Sequence, residues 1–292
     1  MLTDTVVVGA NGRLGGAVLA RCDPASASAA TRTAAGCRSH VPVGPGGFVE
    51  TADLAGKRIV INCAGQPAGK AEDLFHPNVE LPGLLAQQAK DAGVRHFVQV
   101  SSLRVFGRVA RIGPETAASP DSPYADSKLK GDEAVLRLQS DDFSVTCLRL
   151  PFMFGPREGS LLGRMVALLL KFPVLPLPSP EPRRSMMTFE DAAQLIEYVV
   201  ERGVTGAVSA ADPQLFTFGL LSRVLKETAG RRLILPALPA AAFGLLGYFA
   251  PAAQQSLFSS NVLEPEANIA SDVDLSLGLA AGLRRLVEEM TA

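Results

Sequence analysis

The chain has 292 residues, with 28 basic against 29 acidic side chains and a net charge of −1. It has no tryptophan and no basic run interleaved with aromatics, which leaves nucleic-acid binding without support. Cys22, Cys37, Cys63 and Cys147 are far apart and His40, His76 and His96 are scattered, so neither a metal site nor a disulfide framework is expected, and a reducing, cytoplasmic setting fits.

Met1-Leu2-Thr3-Asp4 does not begin a secretory signal. Residues 5–8 read as a buried strand and 13–22 as a helix after a glycine turn. Residues 23–50 are rich in Ala, Ser, Gly and Pro, with a second strand near Ala29–Arg32 and a third near His40–Val43. Arg58–Cys63 is a buried strand ending at Ala64-Gly65. A helix over 78–92 stops at Gly93, and Phe97–Val100 is a strand leading into Ser101-Ser102. Pro123 opens a helix that runs to about Gln139, and Val145–Leu150 is a strand closed by Pro151.

This alternation argues an α/β fold, a doubly wound parallel sheet whose ligands sit at the carboxyl ends of the strands. Gly9, Ala64, Ser102 and Pro151 all follow strand ends and are expected along one edge. Beyond residue 155 the pattern loosens. Leu161–Lys171, 189–202, 217–229 and 282–291 read as helices, and 173–184 is a proline-rich loop that cannot be helical. The division expected is 1–155 for a dinucleotide and 156–292 for a substrate, with part of 189–212 returning to the first unit. From Leu233 to Ala253 no residue is charged, but Pro236, Pro239, Pro251, Gly244 and Gly247 argue against a membrane span. A buried or substrate-covering helical pair is the expectation there, with peripheral membrane contact as the lesser alternative.

Three motifs carry chemistry. Gly9, Gly12 and Gly15 follow an apolar strand and precede a helix. Such a turn is tight, lets backbone approach a pyrophosphate, and turns helix N–H groups toward it. Its spacing departs from the common GxGxxG. Arg32 at the end of the second strand and Arg13 in the turn, with no acid nearby, favour NADP over NAD, since an Arg accepts a 2′-phosphate. Tyr124 and Lys128 lie one helical turn apart, so a phenol able to move a proton has an ammonium beside it to lower its pKa. Ser102, on an upstream strand end, supplies a donor to the reacting oxygen.

Glycine turn, strand-end serine and Tyr-x-x-x-Lys occur here in the order typical of one group. The chain resembles the extended short-chain dehydrogenases/reductases, the NAD-dependent epimerase/dehydratase family, and is UDP-glucose 4-epimerase-like. The resemblance rests on residues 7–15, 60–65, Asn78, 93–98, 101–107, 123–131, 148–156 and 183–191, with Leu235-Pro236 downstream. It implies a Rossmann sheet with a smaller C-terminal substrate region, and catalysis by Ser102, Tyr124 and Lys128. The cofactor set it implies is Gly9, Asn11, Gly12, Arg13, Leu14, Gly15, Arg32, Ala64, Gly65, Asn78, Ser101 and Pro151, binding NADP or NAD. Asn78 is expected to open its helix behind the site.

Arg184 matches the diphosphate-binding arginine, and Phe106 and Phe152 fall at substrate positions. The substrate implied is a small molecule, a nucleotide sugar, with no metal, no nucleic acid and no membrane span. A homodimer through the Tyr124 helix is one arrangement relatives suggest. Several positions depart from the pattern: Phe106 replaces a tyrosine, Phe152 an asparagine, Pro67 a lysine, and Pro45 stands near an expected aspartate. The reaction implied is hydride transfer at a sugar hydroxyl or ketone, as in an epimerase. The alternatives are an NADPH-dependent reductase of a 4-keto sugar or other carbonyl, and a non-catalytic cofactor sensor. A dehydratase is disfavoured because Leu103 and Arg104 are not acidic.

Overall fold

Thr5–Val8 (β1) is buried along its whole length, as expected of a β-branched run in the middle of a parallel sheet. The computed structural model describes residues 1–32, 39–44, 49–156, 160–178, 181–238 and 258–291. Arg13–Leu19 (α1) follows β1, then Ser28–Thr31 (β2), His40–Pro42 (β3) and Ile59–Asn62 (β4). Ala71–Phe75 (α2) continues through a π-helical turn, His76–Glu80, into Leu81–Asp91 (α3). His96–Ser102 (β5), Arg111–Ile112 (β6), Pro123–Leu136 (α4), Ser144–Leu150 (β7) and Phe152–Phe154 (β8) come next. The remainder comprises Leu161–Lys171 (α5), Leu177–Pro178 (β9), Met186–Thr188 (β10), Phe189–Glu201 (α6), Gly206–Ser209 (β11), Phe218–Ala229 (α7), Ala237–Leu238 (β12), Val262–Leu263 (β13) and Leu279–Thr291, labelled α8.

Seven strands form one sheet in the order β11-β7-β5-β4-β1-β2-β3, all parallel. The order reverses between β1 and β4, so a crevice opens at the carboxyl ends of those two strands. One face packs Val7, Ile61, Val98 and Leu148 against α1 and α6, through Leu14, Val18, Leu195 and Val199. The other packs Val6, Val60, Phe97 and Val145 against α3 and α4, through Leu85, Ala89 and Val135. A separate cluster joins α5, α7 and α8 around Phe216, Phe218, Leu283 and Leu286.

The chain returns to the sheet after residue 186. α6 packs on α1, and β11 pairs with β7 in the register Gly206↔Thr146 to Ser209↔Arg149. Buried Asp191 accepts backbone N–H bonds from Leu277 and Gly278, both at 2.9 Å, which ties the start of α8 to α6.

The helix expected to start at Asn78 starts at Ala71 instead. Pro77 lies just before the expected start and has no N–H to donate. The π turn absorbs Pro77 in place of a break, and such turns cluster at functional sites. Pro45, Cys37 and most of the uncharged stretch 233–253 lie outside the described residues. Among the described residues, no helix is long and apolar enough to cross a membrane.

His96, at the start of β5, shows how the sheet reads pH. Its Nε2 lies 2.7 Å from the Thr146 hydroxyl, and that hydroxyl donates onward to the Val204 carbonyl. Thr146 must therefore accept from His96, which places a proton on Nε2. Burial holds its pKa below the ordinary value of 6.5. The unfolded chain thus takes up a proton, as pH falls below about 6.5, that the folded chain refuses. Folding stability is expected to fall by up to about 1.4 kcal/mol per pH unit below that point. Urea denaturation of the chain and of His96→Gln between pH 7.5 and about 5 tests this; the slope should flatten in the variant.

Candidate active site

The site is built at the reversal point. Gly9 has φ +77°, a conformation side-chain-bearing residues rarely adopt, and a Cβ there would lie 2.9 Å from the Ala64 nitrogen. A Cβ on Gly15 would stand 2.2 Å from the Gly9 carbonyl oxygen, so α1 meets β1 too closely for any side chain. Gly12 caps α1 with no side-chain bond, and no acidic residue occupies the first turn. This cradle suits a dinucleotide diphosphate, whose charge the helix dipole favours. Asn11 and Gly12 are exposed, and Arg13 lies over the Phe189 ring, 5.7 Å from its centroid. Arg32 follows β2 directly and is exposed.

A cleft of about 140 Å³ opens beside this turn. It brings together Leu14, Ala64, Gly65, Asn78, Ser101, Tyr124 and Lys128 from the expected residues. Asn78 is buried and acts as a clasp. Its Oδ1 accepts from the Gln66 backbone at 2.8 Å, and its Nδ2 donates to the Gln66 carbonyl at 2.9 Å and to Ser127 Oγ at 3.0 Å. The loop after β4 is thereby fixed to α4.

α4 starts at Ser122, whose hydroxyl accepts from the Ala125 N–H, with Pro123 in its first turn. Tyr124, Lys128 and Asp132 repeat at four-residue intervals and share a face. Lys128 is buried, and its Nζ donates to the Val100 carbonyl at 2.7 Å. Burial pushes its pKa down, and the Asp132 carboxylate pulls it back up. Asp132 is 1% exposed and accepts from Arg149 Nε at 3.1 Å. Burial raises its pKa, opposed by the Ser101 hydroxyl, Arg149 and Lys128. Ser101 and Arg149 are cross-strand neighbours on β5 and β7, so both face α4.

Ser102, next along β5, caps the short turn that follows the strand and is not among the residues lining the cleft. Its hydroxyl accepts from the Arg104 N–H at 3.2 Å, and it is near enough to the Tyr124 phenol to act on its ionisation. Burial raises the phenol's pKa. The lowering expected from Lys128 is not seen; the groups that lower the phenol's pKa in part are Ser102 and Arg104. The ammonium is spent on Val100 and Asp132, and removal from water governs the phenol.

Other expected positions fall differently. Phe106 is buried in a cluster with Leu103, Ile112 and Leu263, with the Arg149 guanidinium over its ring at 5.3 Å, and does not line the cleft. Phe152 packs toward the C-terminal cluster, while Met153 lines the cleft. Strand alternation moved the contact by one residue. Pro151 is buried at the end of β7. Arg184 is buried, donating through Nη1 to the Ser259 carbonyl at 2.8 Å and hydroxyl at 2.9 Å. Burial and the neighbouring Arg104 push its pKa down to about 10.

Sequence reading missed Asp132, although its four-residue step from Lys128 was visible. It also missed Cys63, Gln66, Val100 and Met153 in the cleft, for which no side-chain chemistry gave a signal. The Cys63 thiol is pushed up to about 12 by burial and stays protonated. Among the described residues no cluster of His, Cys, Asp and Glu has a metal-binding arrangement.

Residues 5–210 match the family described as NAD dependent epimerase/dehydratase. The chain belongs to that family. It is 31% identical over 159 residues to a ceramide reductase of Caulobacter vibrioides, covering 54% of this chain and 45% of that protein. It is 27% identical over 156 residues to a UDP-glucose 4-epimerase of Vibrio cholerae, covering 49% and 48%. The chain thus spans about half the length of the curated relatives it matches. MoeE5, solved in complex with UDP-glucose and NAD, superposes with a TM-score of 0.70 at 18% identity, over 99% of this chain and 98% of that one. The fold is therefore that of the extended short-chain dehydrogenases/reductases.

The Lys128–Asp132–Arg149 arrangement makes a stability prediction. Asp132→Asn leaves two cations near one another with no buried counter-charge, at an expected cost of about 3 kcal/mol. Asp132→Glu should recover part of it. Chemical denaturation of both variants reads the difference.

Proposed function

We propose that the protein transfers hydride between a nicotinamide dinucleotide and a carbon bearing a hydroxyl or carbonyl, with Tyr124 as the acid/base. The carrying observation is that Tyr124 and buried Lys128, one helical turn apart, line one cleft together with Leu14 of the glycine turn and Ser101 at the end of β5. When bound, the dinucleotide supplies the hydride acceptor or donor. In the oxidising direction Tyr124, as phenolate, takes the hydroxyl proton while the C–H bond is broken. In the reducing direction the phenol gives its proton to the carbonyl oxygen. Ser102 donates to that oxygen as charge develops, and Lys128 favours the phenolate and holds a ribose hydroxyl.

A nucleotide sugar is the substrate we favour. Arg104, which also pairs with Asp121, acts on both the Tyr124 phenol and the Arg184 guanidinium, so both arginines are candidates to meet an anionic part of the substrate. Guanidinium forks suit diphosphate oxygens. The likeness to UDP-glucose 4-epimerase and to MoeE5 with UDP-glucose supports the same substrate class. In an epimerase the keto sugar turns over and is reduced on its other face, with no net use of cofactor.

A second reading is a carbonyl reductase consuming NADPH. Arg32 beyond β2, the similarity to ceramide reductase, and a phenol whose raised pKa keeps its proton all favour it.

Tyr124→Phe should lower turnover about 10²- to 10⁴-fold with thermal stability unchanged. Wild-type rate in the reducing direction should stay level through neutral pH, because the raised pKa keeps the phenol protonated there. Unchanged turnover in the variant would reject the acid/base role. Arg184→Leu should raise KM for a UDP-sugar about 10- to 100-fold with a smaller effect on kcat. Arg32→Ala should weaken NADPH more than NADH in calorimetry; equal loss would reject its role. Interconversion of UDP-sugars without added cofactor marks the epimerase, and loss of NADPH absorbance in step with product marks the reductase.

A further inference from the structure

The outer face of α5 and the two segments beside it form a surface that catalysis does not use. Leu161, Arg164, Leu168 and Lys171 follow one another at three- and four-residue steps, so they share one helical face. The opposite face, through Leu162, Val166 and Leu169, is fully buried in the C-terminal cluster. Phe172 and Val174 follow directly. They are joined to the segment after α7 by backbone bonds, Ile234 N to the Pro173 carbonyl at 2.8 Å and Leu175 N to the Ile234 carbonyl at 2.9 Å. Phe172 is 67% exposed, Ile234 60%, Leu168 57% and Val174 51%, and these four are the most exposed large apolar side chains among the described residues after Met1. Folding has placed large apolar groups in water on one face, where a monomer gains nothing from them.

Charge on the same face is one-sided. Arg164, Lys171, Arg231 and Arg232 are exposed, and neither 160–178 nor 230–238 contains an acidic residue. The whole chain is nearly neutral, so the acid is concentrated elsewhere. Among the described residues none of these four cations takes part in an ion pair. Apolar side chains flanked by unpaired cations match the acyl boundary and headgroups of an anionic bilayer.

We infer that this face docks the protein peripherally on an anionic phospholipid surface. Phe172, Val174, Leu168 and Ile234 enter the interface, and the four cations meet lipid phosphates. The proposal is independent of the identity of the substrate.

The test is sedimentation of the full chain with vesicles of phosphatidylglycerol and phosphatidylcholine, against vesicles of phosphatidylcholine alone. Binding is expected only to the anionic vesicles, and to weaken in about 0.5 M salt as the charges are screened. Arg231→Gln with Arg232→Gln should lower the partition coefficient about thirtyfold. Phe172→Ser with Ile234→Ser should lower it tenfold or more. These side chains are exposed, so both double variants should keep the wild-type melting temperature and dinucleotide affinity. If one does not fold, the other decides. No binding to anionic vesicles overturns the proposal, as does binding that neither pair weakens. Light scattering that finds a dimer dissociated by the Phe172/Ile234 pair assigns the face to a second copy of the chain, and that also overturns it.

Discussion

An ammonium group taken out of water organises this site. Lys128 is buried beneath the end of β5, and a buried cation is tolerated only when paired and hydrogen-bonded. The Val100 carbonyl supplies one acceptor and Asp132 supplies the counter-charge. Asp132 in turn needs Arg149, and Arg149 rests on the Phe106 ring. Every one of those contacts requires α4 to lie in one position across β5 and β7. The same position sets Tyr124 against Ser102. The polar layer thus fixes the helix in a way that apolar contacts, which are non-directional, do not.

The clasp at Asn78 extends this constraint to the other side of the cleft. Asn78 bonds the loop after β4 and, through Ser127, the helix that carries Lys128. Cradle and proton-handling pair are therefore connected by hydrogen bonds and not only by the sheet. The π turn is what lets Asn78 face inward from within a continuous helical run, since Pro77 forbids regular pairing there.

Much of this was legible from residues alone. Buried strands such as Thr5–Val8 and Ile59–Asn62 announce themselves because both faces are covered and the apolar run is unbroken. α5 runs over Leu161–Lys171, as the apolar periodicity required. The weak strands β2 and β3 also form, although Ser28–Thr31 has little β propensity, because β1 and the sheet supply pairing that propensity does not. What the sequence hid were properties set by tertiary contact. The start of α2 was masked by Pro77. Phe152 and Met153 exchange roles by strand alternation, which a motif match does not register. The phenol's pKa follows its burial, a quantity no spacing encodes.

The reach of the site toward its substrate follows from where the cations stand. Arg104 sits on the short turn after β5 and is the only guanidinium acting on both Tyr124 and Arg184. Arg184 belongs to the segment leading into β10, whose strand pairs β8, and β8 carries Met153 into the cleft. A molecule long enough to touch both the phenol and Arg184 would thus bridge the sheet edge and the C-terminal cluster. Arg104 has an anion within the fold, Asp121 at 3.4 Å, and Arg184 is held by Ser259, so local partners position both guanidinium groups.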